Sequence, residues 1–252
     1  MPTPVEFAKQ YHSLKINVVI DDPVARMSRQ VTHQVELRKY FMMRWADGSE
    51  ERTDFKVVTK GSKDDLWFQA NKDRIYTAAM GKGAPKDYEL ALEWAARSKK
   101  IAMLTQASLQ TYSDDHLGID CSGFATNYLV ACGKRAYSAD AMRNTSAASY
   151  YKPANAVNDP ASIRQGDLLV WMTGNSVKTD PGHVAVVDSY AAQSMAGGNM
   201  RVVEATPAGG STPRPLASLC AVEKIIPKTA TVPMILVIRR FGSQHRVCVM
   251  RV

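Results

Sequence analysis

Nowhere in this 252-residue chain does an apolar run approach the ~20 residues that a membrane-spanning helix needs, so no membrane span is expected. Residues 1–24 hold one apolar patch, 16–20, too short and too polar for the core of a signal peptide, and none is read there. Cysteine is scarce: Cys121, Cys132, Cys220 and Cys248 are the whole complement, and no two form a C-x-x-C pair. They read as mostly reduced, one nucleophile and three packing residues, with a Cys220–Cys248 disulfide left open. An H-E-x-x-H pair and a phosphate-cradling glycine loop are missing too, so neither metal nor cofactor is implied. Nor is there a dense Lys/Arg run with interleaved aromatics or a nucleic-acid motif, which makes nucleic acid the weakest of the polyanionic partners.

What is present is ordinary for a globular protein, 45% hydrophobic and 22% charged, except for a formal net charge of +8. That charge favours a polyanion: bacterial cell wall, anionic membrane surface or nucleic acid. The length suits one large domain with a smaller extension. Residues 1–60 read as a β-rich extension, with a hairpin of 39–45 and 52–58 around Ala46-Asp47-Gly48-Ser49. Residues 61–84 read as a linker and 85–252 as the main domain. Pro85 suits a first helical turn, and Tyr88, Ala91, Leu92, Ala95 and Ala96 predict an amphipathic helix over 85–104. A second helix is expected over 122–132, capped by Gly133. Residues 136–162 read as irregular. Strands are expected at 168–172, 183–187, 202–205 and 234–239, and helices followed by an antiparallel sheet is an α+β order.

The chemistry concentrates in Asp120-Cys121-Ser122-Gly123-Phe124. There an irregular segment, 114–120, gives way to an apolar helical stretch. A thiol at a helix N-terminus faces unpaired backbone N–H groups and the positive end of the dipole, both of which favour the thiolate. Downstream, His183 heads the run Val184-Ala185-Val186-Val187, and Glu204 follows Val202-Val203. Two short strands joined by a Gly/Asn-rich turn would pair antiparallel and set these side chains together. Cys121 is then the nucleophile, His183 the general base and acid, and Glu204 the group that fixes the imidazole tautomer. A carboxylate on an apolar strand needs a partner if buried; His183 is the first choice, though an arginine would serve. His116, in a run of polar loop residues, is read as solvated, and His12, His33 and His245 have no supporting context.

These residues resemble the NlpC-type cell-wall peptidases and the related CHAP amidases. Their D-C-S-G-[FL] motif is matched in full at 120–124. In order, Arg143-Asn144-Thr145-Ser146 is similar to R-T-S with one insertion, Gly166-Asp167-Leu168-Leu169-Val170-Trp171 to G-D-L-V-F-F, and Gly182-His183-Val184-Ala185-Val186-Val187 to G-H-V-G-I-Y. The match covers about 118–206, with 234–241 as the closing strand. Two departures stand out: Glu204 occupies the third polar position where many NlpC-type members have histidine, as in CHAP members, and the Tyr-x-Trp-Gly-Gly segment is missing, leaving Tyr112 as the nearest tyrosine. The resemblance implies a papain-like fold, with the nucleophile at the start of a helix packed on an antiparallel sheet. It also implies hydrolysis of an amide bond in peptidoglycan, with Asp120, Ser122, Tyr112 and Arg143 at the substrate. Without a signal peptide the chain suits export by another route, such as a type VI secretion effector, with a secretion adaptor or an immunity protein as partners. The rivals are an acyltransferase or deamidase using the same triad, and a non-catalytic wall-binding module.

Overall fold

The computed structural model describes residues 1–22, 27–40, 61–180, 182–194, 197–208 and 214–252. Helix α1 (Pro4–Tyr11) starts at a reciprocal cap: Thr3 Oγ accepts the Glu6 amide, and the Glu6 carboxylate accepts the Thr3 amide. It leads into an antiparallel hairpin, β1 (Leu14–Asp22) and β2 (Met27–Val35). The hairpin expected around residues 46–49 lies outside the described residues.

Residues 61–84, read as a linker, carry the 17-residue helix α2 (Lys63–Ala79), capped by Ser62. Helix α3 (Pro85–Arg97) begins at its proline as expected and stops before residue 104. Helix α4 (Gln106–His116) then takes up part of the segment expected to be irregular. Helix α5 (Cys121–Ala131) follows, then the short α6 (Ala139–Arg143) and three 3-10 turns between 147 and 162. Phe7, Tyr11, Leu14 and Ile16 from the first elements share one apolar cluster with Phe68, Trp94 and Phe124 from α2, α3 and α5. The Phe7 and Phe124 rings are 5.9 Å apart. Among the described residues no helix is long and apolar enough to cross a membrane.

The strands are β3 (Leu168–Thr173), β4 (Ser176–Val177), β5 (Val184–Ser194), β6 (Gly197–Glu204), β7 (Leu216–Ile226), β8 (Ile235–Arg240) and β9 (Ser243–Met250). Each of β3, β5, β6, β7, β8 and β9 pairs antiparallel with the next, and β9 pairs back on β3 from Leu168↔Met250 to Met172↔Arg246. Among the described residues the result is a closed six-stranded barrel beside six helices, with β4 a two-residue appendage of β3. This corrects the papain-like α+β arrangement, a helix packed on an antiparallel sheet, that the sequence led us to expect. Closure depends on β7 and β9, the two strands the sequence reading lacked. Strand β7 links β6 to β8, and β9 links β8 to β3. Side chains alternate across the barrel wall. Leu169, Val187, Met200, Val202, Cys220, Leu236, Ile238, Val247 and Val249 fill the interior. Leu168, Val170, Val184, Val186, Val203, Cys248 and Met250 face the helices. All four cysteines are free thiols, Cys220 and Cys248 included.

Candidate active site

The alternation that fills the barrel also builds its polar end. Glu204 has the parity of Met200 and Val202, Arg240 that of Leu236 and Ile238, and Trp171 that of Leu169, so all three point inward. His183, one residue before β5, has the parity of Ala185, and its carbonyl accepts the Trp171 amide at 3.1 Å. The four meet. His183 Nε2 lies 2.5 Å from Glu204 Oε2, the same oxygen that accepts from Arg240 Nη1. The His183 ring stands edge-on to Trp171, centroids 4.5 Å apart, and the Arg240 guanidinium covers the Trp171 face at 5.0 Å. Glu204 is fully buried, and the His183 side chain retains 12% exposure.

Cys121 comes to this group from outside the barrel. It is the first residue of α5, a helix buried all round from Cys121 to Leu129, its polar Ser122, Thr126 and Asn127 each donating a hydrogen bond. Asp120 caps α5, its Oδ1 accepting the Gly123 amide at 2.5 Å. Gly123 is needed for packing: a Cβ there would run into the Gly81 carbonyl and lie 2.9 Å from Lys82 Cα.

The Cys121 thiol lies close enough to the His183 imidazole for their charges to interact. Burial works against a charged imidazole, but the Cys121 sulfur and then Glu204 outweigh it, and His183 is raised to about 9. Glu204 is disfavoured as an anion by burial, yet its bond to His183 and the charges of His183 and Arg240 bring it down to about 2. An imidazolium held between a sulfur and a carboxylate is a proton donor ready beside a nucleophile.

A pH dependence of stability follows. His183 binds its proton more tightly folded than unfolded, so its contribution is whole below 6.5 and is lost as pH rises through about 9. Glu204 holds its proton less tightly folded, so its contribution is whole above 4.5 and is lost as pH falls through about 2. Urea unfolding midpoints should therefore be highest between about pH 4.5 and 6.5. In His183→Gln the decline above 6.5 should flatten, and an unchanged slope there would contradict the assignment.

The structure brings Cys121, His183 and Glu204 together and gives the other expected site residues different partners. Asp120 and Ser122 are buried and turned inward. Asp120 Oδ2 is 2.5 Å from Lys82 Nζ, which also donates to Ser122 Oγ and, at 2.8 Å, to the Thr145 carbonyl. Tyr112 sits on α4 against the His116 ring, centroids 4.4 Å apart. Arg143 ends α6 and pairs with Asp73 of α2 at 3.5 Å.

The tyrosine beside the thiol is Tyr40. Residues 39–40 run alongside Ile119, paired through a Tyr40–Ile119 bridge and an Ile119 amide to Lys39 carbonyl bond of 3.1 Å. Burial first, then the adjoining Cys121 and Asp120, raise the Tyr40 phenol well above its usual range, so it stays a neutral hydroxyl next to the sulfur. Sequence reasoning missed Tyr40, Lys82 and Arg240. Only Lys82 carried a local signal, its place between Gly81 and Gly83, where a backbone can approach closely.

Compared with known proteins, the chain matches no family model, no curated protein and no solved structure.

Proposed function

We propose that this chain is a cysteine hydrolase that cleaves an amide bond in peptidoglycan stem peptides through a thioester. The observation that carries the reading is the succession of sulfur, imidazole and carboxylate at one end of the barrel, with His183 2.5 Å from Glu204 and its charge coupled to that of Cys121. The Cys121 sulfur attacks the carbonyl carbon, and the His183 imidazolium protonates the departing amine. Neutral His183 then takes a proton from the water that hydrolyses the thioester. Glu204, pinned by Arg240, holds the imidazole in orientation throughout. The Cys121 backbone N–H and the Tyr40 hydroxyl are the donors available to the oxyanion, Tyr40 rather than Tyr112 being the tyrosine beside the sulfur.

Two further features support peptidoglycan as the substrate: four motifs shared in order with NlpC-type cell-wall peptidases, and a net charge of +8 against a carboxylate-rich polymer. The test is incubation of purified protein with peptidoglycan and mass spectrometry of the soluble products. Fragments with one new amine and one new carboxylate are expected from the wild type. Cys121→Ala should slow their release at least ~10³-fold. Undiminished release by that variant would remove the nucleophile and the proposal with it.

A further inference from the structure

A cavity of about 580 Å³ opens behind α5, and none of Cys121, His183 and Glu204 lines it. Its wall includes Lys134, Arg135 and Lys152, together with Asn144, Tyr150 and Asn155. Lys134 and Arg135 follow the Gly133 turn that ends α5, and Lys152 lies in the stretch of 3-10 turns after α6. Among the described residues none of the three cations forms an ion pair; the Arg135 side chain is spent on a neutral acceptor, Thr145 Oγ1, at 3.2 Å. Several other cations of this chain are paired with an acid, among them Arg251 with Asp167, Lys82 with Asp120 and Arg239 with Glu223. Val252 also lines the cavity, and a terminal carboxylate there would still leave cations outnumbering anions three to one.

Three like charges around one hollow repel each other and gain nothing from the fold. A multiply charged guest reverses the sign of that energy. Two lysines supply point charges and one arginine supplies a planar fork of donors, a set suited to tetrahedral oxyanions. The volume exceeds what a bare phosphate fills and leaves room for a sugar-sized group against the amide and phenol side chains.

We propose that this cavity binds a phosphorylated small molecule or a phosphodiester unit of that size, the phosphoryl group seated among Lys134, Arg135 and Lys152. The site is independent of the chemistry at Cys121.

Isothermal titration at low salt with glucose 6-phosphate, glucose and citrate tests it on the full chain. Saturable binding of glucose 6-phosphate is expected, weakening as salt rises, with glucose and citrate at least about tenfold weaker. Lys134→Ala/Lys152→Ala, both exposed positions whose fold is checked by circular dichroism, should weaken that binding at least about tenfold. Cys121→Ala should leave it unchanged. A glycerol-phosphate oligomer binding more tightly than the monomer would identify a polymer as the source, and equal affinity a free metabolite. Equal binding of glucose or citrate, an undiminished double variant, or no heat with any phosphorylated probe overturns the proposal.

Discussion

Lys82→Met should lower the free energy of unfolding by about 3–5 kcal/mol, the range for removing one partner of a buried ion pair. Lys82 and Asp120 are 5% and 4% exposed, and their side chains meet at 2.5 Å. Methionine fills much of the lysine stem's volume but leaves the Asp120 carboxylate without its cation in a site closed to water. What remains for Asp120 is the Gly123 amide at 2.5 Å and the Ser122 hydroxyl at 3.1 Å, one short of its present set. The loss spreads beyond that pair. Lys82 also binds Thr145 O, and its own carbonyl accepts from Asn127 Nδ2 at 2.8 Å, so it joins the 81–83 turn, the start of α5 and the segment after α6. Lys82→Met/Asp120→Asn should recover much of the stability, because asparagine still caps α5 and no bare charge is buried. Urea unfolding of both variants decides it. A single-variant loss below about 1 kcal/mol, or a double variant no better than the single, would mean that the pair is not what holds the nucleophile's helix.

How much of this was readable beforehand depends on range along the chain. Cys121, His183 and Glu204 each sat at the edge of a regular apolar run, and edges are where alternation or helical periodicity shows in a sequence. Barrel closure had no such mark. Strand β7 exposes every other residue, Leu219 at 77%, and β9 opens with Ser-Gln-His-Arg, so neither reads as an apolar run. Their identity as strands comes from pairing with β6, β8 and β3, which is information about contacts distant in sequence. Helix α2 was hidden in the same way: its sequence is strongly polar, and its burial is concentrated in Phe68 and the 75–79 end. The inward turn of Asp120 and Ser122 could not be foreseen either. It is imposed by Lys82, 38 positions (120 − 82) upstream, and by the tight approach at Gly123.

Glu204→Gln should slow amide cleavage by about 10⁴-fold while leaving the fold in place, the scale seen when the orienting carboxylate of a nucleophile–histidine system becomes an amide. Two physical consequences converge. Glutamine can present its NH₂ to the imidazole and so select the wrong tautomer, and the anion that offsets His183's burial is gone. The His183 titration should then fall from about 9, since burial alone lowers it and only Cys121 still raises it. Arg240 adds a further pull. Left without its carboxylate and held over Trp171 at 5.0 Å, its positive charge disfavours a second cation beside it. An NMR titration of the imidazole reads this without any substrate, and the rate on peptidoglycan reads the catalytic cost. A fall in rate with an unmoved titration would make Glu204 a scaffold residue. A moved titration with full rate would show that cleavage does not pass through His183.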